Sequence, residues 1–287
     1  MIKRTVRKIL GTLGNLTQSE ENKQTLSSIN NSIIDLNYLQ VKQSDPRYSD
    51  DKRLLKYGYQ VLAQTDEDGI IAEIFNRIGL TNRFFVEFGV GEGIENNTAA
   101  LLFQNWQGLW IEGEPNCATS LRENLKKFIT SGNLKVQESF VTEENIEKIL
   151  TNQQVPNDLD LLSIDIDSFD YYVWQSITNF HPRVIVIEYN ASWGPTIEWV
   201  MPRDITPSFT DHTSCFGASL KSFEKLGETN GYVLVGCNIT GVNAFFVRKD
   251  LVKDMFSQPF TSENHYEPPR YNLNRRVGHP RSFNIFS

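Results

Sequence analysis

The sequence predicts an α/β fold with a mostly parallel sheet, and two observations lead to this class. Short apolar segments typical of buried strands alternate with helical segments between residues 84 and 190. After residue 231 this alternation gives way to two adjacent strand segments joined by a short turn, which predicts an antiparallel hairpin. We therefore expect parallel strands that are completed by an antiparallel last strand.

Seven segments carry the strand signal, because each is short, apolar and rich in β-branched or aliphatic residues. In chain order they are FFVEFGV, GLWIEG, LKVQESFV, LDLLSIDI, RVIVIEYN, GYVLVGCN and NAFFVRK. The stretches 97–103, 118–128, 143–150 and 171–177 are predicted as the helices between them, and another helix follows Ser219. An earlier helix is predicted to begin at Thr65, with Asp68 as the acid of a capping box, and to end at Gly79.

Three regions are expected from composition. Residues 1–45 are polar with sparse aliphatic residues at helical spacing, and predict a helical N-terminal extension. Residues 46–254 form the sheet domain, and residues 255–287, which contain four prolines, predict an irregular C-terminal tail.

The overall composition excludes several classes of protein. A formal charge of −7 argues against a nucleic-acid-binding protein. Three widely spaced cysteines form neither a disulfide framework nor a zinc motif. The sequence contains no apolar run of about 20 residues and no secretory signal, so we expect a cytoplasmic protein.

A glycine-rich loop follows the first strand segment and suggests a cofactor site. Gly89, Gly91 and Gly93 are spaced G-x-G-x-G, whereas a dinucleotide fingerprint has G-x-G-x-x-G. Glu87, two residues before the first glycine, completes the form used for S-adenosylmethionine (SAM), where it can meet the amino group of the methionine moiety. Glu112 ends the second strand, where an acid can accept hydrogen bonds from ribose hydroxyls.

The third and fourth strands add further candidates at their ends. Ser139 and Phe140 end the third strand, where an adenine would lie. Asp165, Asp167 and Asp170 end the fourth strand, and carboxyl ends of parallel strands border the ligand crevice of such sheets.

These segments resemble a known family, the FkbM-type class I SAM-dependent methyltransferases. The resemblance rests on VEFGVGEGIENNTAALL, WIEGEP, LLSIDIDSFDYYVW and GYVLVGCNITGVNAFFV, and on QTDEDGIIAEIF before them, and covers roughly residues 61–250. It implies a Rossmann-like sheet of seven strands with the last strand antiparallel. It also implies methyl transfer to hydroxyl groups of sugars in glycans, glycolipids or natural products. The family pattern D-x-E-G-x-E departs here at Ser168, which stands in place of the glycine.

A hydroxyl acceptor must lose its proton, and either a base or a metal ion can bring this about. Oxygen ligands at neighbouring strand ends suit Mg²⁺ or a similar cation. The candidate metal ligands are Asp165, Asp167, Glu188 and Asn190. The candidate catalytic groups are Asp165, Asp167, Asp170 and, as a histidine base, His212; Asp165 is also a candidate cofactor contact. These acids can instead cap the helices that follow them.

Three other functions compete with methyl transfer. A metal-dependent glycosyltransferase would use the Asp165-x-Asp167 pair to hold a nucleotide-sugar diphosphate, but leaves the glycine loop and Glu112 unexplained. A methyltransferase-like scaffold would keep the cofactor residues without turnover. A nicotinamide oxidoreductase is disfavoured because Ile94 occupies the third glycine position of its fingerprint.

The N-terminal extension leaves three interpretations open. Leu26, Ile29, Ile33 and Leu36 form an apolar seam that can join two subunits, making a homo-oligomer. The basic start of the helix can instead lie on an anionic membrane surface. The helix can also dock on its own domain.

Overall fold

The structure, a computed structural model, describes residues 2–205 and 213–273, with side chains described from residue 22 onward. The chain divides into two units, Met1–Pro46 and Arg47–Ser287. In the first unit a single long helix, α1, spans Ile2–Ser44. Its apolar seam is open to solvent, because Leu26, Ile29, Ile33 and Leu36 each expose half or more of their surface.

The second unit is built on one seven-stranded sheet. The strands are β1 (Phe84–Phe88), β2 (Gln107–Glu112), β3 (Leu134–Glu138), β4 (Leu161–Ile164), β5 (Val184–Glu188), β6 (Tyr232–Cys237) and β7 (Asn243–Arg248). Their order across the sheet is β3-β2-β1-β4-β5-β7-β6, with β7 antiparallel to both of its neighbours. The predicted architecture is confirmed: a Rossmann-like, mostly parallel sheet of seven strands whose last strand is antiparallel.

Helices cover the sheet between the strands. They are α2 (Glu67–Ile78), α3 (Pro115–Asn124), α4 (Lys126–Thr130), α5 (Ile146–Asn152), α6 (Asp170–Ser176), α7 (Leu220–Thr229) and α8 (Ser262–His265). The predicted helix 97–103 is a 3₁₀ helix, Ala99–Gln104, and the predicted helix 118–128 is divided into α3 and α4 at Leu125. Among the helices of residues 2–205 and 213–273, none is long and apolar enough to cross a bilayer.

The central strands are buried on both faces, as expected for parallel strands covered by helices. All four residues of β4 are buried, and so are four of the five residues of β1 and of β5. On one face the rings of Trp174 and Phe246 meet edge to face at 4.9 Å, and Phe223 lies beside Trp174. Each such aromatic residue contributes about 1.5–3 kcal/mol by burial, so this core fixes where the strand ends lie.

The start of α2 differs from the predicted capping box. The helix begins at Glu67, and the Glu67 carboxylate accepts hydrogen bonds from the amide and the hydroxyl of Thr65. Asp68 does not reach Thr65, because one of its oxygens accepts the amides of residues 61, 62 and 63. The acid thus holds the segment before α2 in place and positions Gln64 at the edge of the sheet.

Residues 255–273, the described part of the region predicted as an irregular tail, contain one four-residue helix and several buried side chains. Phe256 is fully buried, α8 follows, and the buried Glu267 forms ion pairs with Arg47 and Arg270. Residues 274–287 lie outside the described residues.

Candidate functional site

The loop after β1 needs glycine because two strands approach closely there. Gly89 has a φ of 68°, and a Cβ at this position would lie 1.6 Å from the carbonyl oxygen of Asp165. Any side chain would therefore push the loop away from the end of β4. Gly91 also has a positive φ, 53°, but a Cβ there would meet no atom within 4 Å. Gly89 thus brings the loop against β4, and Gly91 borders open space.

Two cavities lie at the carboxyl ends of the parallel strands and meet at Gly89, Gly91 and Asp165. The smaller cavity, called here the loop cavity, has a volume of about 280 Å³. Its walls are Gln64, Glu87, residues 89–97, Asp165 and Asn243. The larger, called here the β2–β4 cavity, has about 510 Å³ and is bordered by the ends of β2, β3 and β4. Because they share Gly89, Gly91 and Asp165, we refer to the two cavities as the two lobes of one cleft.

Glu112 connects the glycine loop to the β2–β4 cavity. One of its carboxylate oxygens accepts the amide of Gly91 at 2.6 Å, and the other accepts the amide of Glu114 at 2.7 Å. These bonds fix the carboxylate at the end of β2, where each oxygen keeps a further lone pair for a ligand. The same cavity is bordered by Ser139 and by Phe140, whose ring is 65% exposed.

Glu87, the predicted acid of the glycine motif, is hydrogen-bonded within the protein and also borders the loop cavity. Its carboxylate is buried and accepts four hydrogen bonds, from the amides of Asn97 and Thr98 and from the hydroxyls of Thr98 and Ser163. Burial raises the pKa of Glu87 to about 7, while these four donors oppose the rise. The residue borders the loop cavity, but its oxygens primarily hold the chain that follows the glycines.

The acids predicted as metal ligands come together in part. Asp165, Asp167 and Glu188 can each place a carboxylate oxygen within 4.8 Å of the others. Burial together with the charges of the neighbouring acids raises the pKa of both Asp165 and Glu188 well above ordinary values. We refer to these three residues as the acidic cluster.

Asp167 and Asp170 have different roles in the loop after β4. Asp170 is buried and accepts the amides of Ile166 and Ser168, and burial raises its pKa to about 6. Its predicted catalytic role is not supported by this placement, because both oxygens are turned into the loop. Asp167 has a φ of 61°, a left-handed conformation that Asp tolerates better than most residues, and its carboxyl joins the acidic cluster. By accepting the amides on either side of Asp167, Asp170 stabilises the turn that places Asp167 in the acidic cluster.

Asn190, the fourth predicted metal ligand, is hydrogen-bonded to main-chain groups. Its amide nitrogen donates to the carbonyls of Ser214 and Phe216, and its oxygen accepts the amide of Ser192. These bonds anchor the segment that precedes α7.

Neither of the histidines among the described residues is placed to act as a base at the cleft. His212 lies outside them. His181 precedes β5 and therefore lies at the opposite, amino edge of the sheet. His265 is buried against the Ser257 carbonyl, and burial lowers its pKa to about 3.

The structure adds two site residues that the sequence did not indicate, Gln64 and Asn243. Both border the loop cavity. Asn243 begins β7 and pairs in register with Glu188 of β5. Because β7 is antiparallel, its amino end lies at the edge where the parallel strands have their carboxyl ends. The proximity of Asn243 to Glu188 follows only from the strand order. In the sequence, the one sign of a site residue here is that the last strand begins with a polar residue.

The charge of the cleft restricts its ligand. Among the described residues that border the two cavities there is no Lys or Arg, whereas both cavities are bordered by several carboxylates. A diphosphate normally needs cationic side chains or a loop of free amides with a metal. Such a cleft favours a ligand that carries positive charge.

Comparison with known proteins gives similarity in structure only. No family profile matches the chain, and no curated protein sequence matches it. Among solved structures, it is similar to a putative caffeoyl-CoA O-methyltransferase from Staphylococcus aureus, with 15% identity over 76% of this chain and 98% of that one and a TM-score of 0.44. It is also similar to a SAM-dependent methyltransferase from Aquifex aeolicus (12% identity, 62% and 89% coverage, TM-score 0.36). A third similar structure is a magnesium protoporphyrin IX methyltransferase from Synechocystis PCC 6803 with bound SAM, with 12% identity over 63% of this chain and 77% of that one and a TM-score of 0.39. At this identity the likeness concerns the fold alone.

Proposed function

We propose that this protein is a SAM-dependent methyltransferase of the FkbM type that methylates a hydroxyl group of a carbohydrate. The observation that carries the proposal is the two-lobed cleft, whose lobes share Gly89, Gly91 and Asp165 and are both bordered by carboxylates. SAM has a matching shape and charge, with an adenosine at one end, an amino acid at the other and a cationic sulfonium between them.

Each part of the cofactor has a candidate contact in the cleft. The adenosine would occupy the β2–β4 cavity, with its ribose hydroxyls at Glu112 and its base near Ser139 and Phe140. The methionine end would occupy the loop cavity, beside Glu87 and the glycine loop. The sulfonium would then lie near Gly89, Gly91 and Asp165, where the two lobes meet.

The acidic cluster supports hydroxyl methylation. The acceptor oxygen attacks the methyl carbon, the sulfur–methyl bond breaks, and its electron pair remains on sulfur as S-adenosylhomocysteine (SAH) forms. The hydroxyl proton needs an acceptor, and carboxyls whose pKa is raised by burial and like charges, as in Asp165 and Glu188, suit a base at neutral pH. Tyr271 is half exposed near Glu188, and such an aromatic surface beside acids suits a sugar.

We further propose that a divalent cation such as Mg²⁺ binds the acidic cluster. Three carboxylates with oxygens inside 4.8 Å form a suitable donor set for a hard cation, and a cation there would relieve their mutual repulsion. Bound to two sugar hydroxyls, it would make one of them more acidic. Asp165, Asp167 and Glu188 would hold the ion.

The experiment that tests the function has two steps. Calorimetry should show binding of SAH and no binding of a nucleotide sugar; the reverse result would favour the glycosyltransferase. An acceptor screen with methyl-labelled SAM should then transfer label to a hydroxylated glycan or glycolipid. Binding of SAH without transfer to any hydroxylated acceptor would favour the non-catalytic scaffold.

A further inference from the structure

Asn243 has a buried oxygen for which the described residues provide no partner. The side chain is 4% exposed, and its Oδ1 atom receives no hydrogen bond from residues 2–205 or 213–273. A buried carbonyl oxygen without a donor costs roughly 1–3 kcal/mol, so such an atom calls for an explanation.

The orientation of the amide is fixed by its other end. The Nδ2 atom donates to a carboxylate oxygen of Glu67 at 3.1 Å, and the amide of Asn238 donates to the same oxygen at 2.7 Å. Turning the Asn243 amide over would place Oδ1 against a carboxylate, which is repulsive. Oδ1 is therefore the atom that is left without a donor, in a residue that borders the loop cavity.

A ligand that completes this site must bring a hydrogen-bond donor. The acid of the glycine motif is a poor alternative acceptor, because four donors from the protein already occupy both oxygens of Glu87. Gln64 borders the same cavity and carries an amide that can donate to a carboxylate. An acceptor and a donor that border the same cavity match the ammonium and the carboxylate of an amino acid.

We propose that Asn243 Oδ1 accepts a hydrogen bond from the α-ammonium group of the cofactor, which makes the site selective for the intact methionine end of SAM. This inference rests on the proposed cofactor. Asn243 lies on β7, four strands along the sheet from β2, which carries the ribose acid Glu112. Recognition of the two cofactor ends is thereby divided between distant strands, and an analogue that lacks the ammonium should lose only the β7 contact.

The test is calorimetry with two probes, SAH and the analogue of SAH in which hydrogen replaces the amino group. A hydrogen bond to a charged group corresponds to about a tenfold or larger change in affinity. The wild-type protein should bind the deamino analogue at least about tenfold more weakly than SAH. Asn243→Ala should bind SAH with a similar loss, and should bind the two probes about equally.

Glu67→Gln tests the orientation of the amide, and Glu92→Gln is the control. The Glu67→Gln variant removes the carboxylate that sets the orientation of the Asn243 amide, so it should reduce the preference for SAH over the deamino analogue. Glu92→Gln, at an exposed residue of the loop cavity that makes no hydrogen bond to Asn243, should keep the wild-type preference. Thermal melting would confirm that the variants are folded, and the wild-type comparison of the two probes needs no variant at all. Equal wild-type affinity for the two probes, or an Asn243→Ala protein that still prefers SAH, would overturn the inference. A wild-type protein that binds neither probe would instead remove the proposed cofactor itself.

Discussion

The carboxyl groups of Asp165 and Glu188 have oxygens within 4.8 Å of each other at the ends of the adjacent strands β4 and β5. Two partly buried carboxyls in this position cannot both be ionised without an electrostatic cost, and Asp167 adds a third acid nearby. The pair can share a proton, act as a base, or bind a cation. Cation binding can be distinguished from the other two by titration with a metal ion.

If a divalent cation binds the acidic cluster, calorimetric titration with Mg²⁺ or Mn²⁺ should give one site on the wild-type protein. Asp167→Asn and Glu188→Gln should each weaken it about tenfold or more, because each removes one charged ligand. Glu92→Gln is the control, since Glu92 borders the loop cavity but is not part of the acidic cluster. Methyl transfer should stop in EDTA and return with Mg²⁺. Full activity in EDTA would contradict the cation and leave the Asp165–Glu188 pair as the base.

Gly91→Val should abolish SAH binding while the protein stays folded. Gly91 has a positive φ and open space where a Cβ would point, on the border of both cavities. A valine there would fill the cleft and would also strain the backbone. Gly132→Val is the control. Gly132 also has a positive φ, 79°, and open space where a Cβ would point, so valine causes the same backbone strain there, but Gly132 borders neither cavity. Melting temperatures should fall similarly in the two variants, and only Gly91→Val should lose SAH in calorimetry. Wild-type affinity in Gly91→Val would contradict the assignment of the cleft.

Phe140→Ala should weaken SAH binding about tenfold with little change in melting temperature. The exposed ring borders the β2–β4 cavity, and stacking of an aromatic ring on a base contributes roughly 1–3 kcal/mol. Because the ring is exposed, its removal leaves the core intact. Phe103→Ala removes another half-exposed ring that borders neither cavity, so it should keep wild-type affinity. A comparable loss in both variants would indicate a general effect of losing surface aromatic residues.

Much of the fold follows from local sequence patterns, because each parallel strand is a contiguous apolar segment buried on both faces. Asp165 and Glu188 could be placed together from sequence, since both end strands that are adjacent in such a sheet. Asn243 could not be placed from sequence, because it lies beside Glu188 only as a result of β7 pairing antiparallel with β5.

Hydrogen-bond partners were harder to predict than positions. Asn190 lies at the expected strand end, but its amide is occupied by carbonyls of residues 214 and 216, which no local pattern encodes. Asp170 and Asp68 are likewise used by main-chain amides of their own loops. Short acids near turns bind amides as readily as ligands, so residue type and spacing alone do not separate the two roles.

The exposed seam on α1 leads to a prediction about assembly. Leu26 and Ile33 are spaced by one heptad and expose 66% and 50% of their surfaces, and pairing of two such seams would bury them. The double variant Leu26→Glu, Ile33→Glu should therefore shift a dimer to a monomer in light scattering. Gln24→Glu with Asn31→Glu has the same spacing and added charge on another face of the helix, and should keep the wild-type mass. A wild-type monomer would reject the dimer, and binding to anionic vesicles would then support the membrane alternative.

The stability of the folded protein should depend on pH because of Glu87. Burial raises the pKa of this carboxyl from about 4.5 to about 7 in the folded protein, so between these values the folded state binds a proton that the unfolded state has released. Its contribution to stability is fully present below about pH 4.5 and is lost as the pH rises through 7. The free energy of unfolding should therefore decrease across this range by about 3 kcal/mol more in the wild type than in Glu87→Gln.

Urea unfolding at a series of pH values measures this difference. The absolute stability of Glu87→Gln is not the readout, because a glutamine amide would oppose some of the four donors around it and lower the whole curve. The slope is informative, since glutamine does not titrate. Glu92→Gln removes an exposed carboxyl from the same loop and should follow the wild-type slope. Parallel curves for the wild type and Glu87→Gln would mean that the four donors keep Glu87 ionised in the folded protein, and that hydrogen bonding outweighs burial at this site.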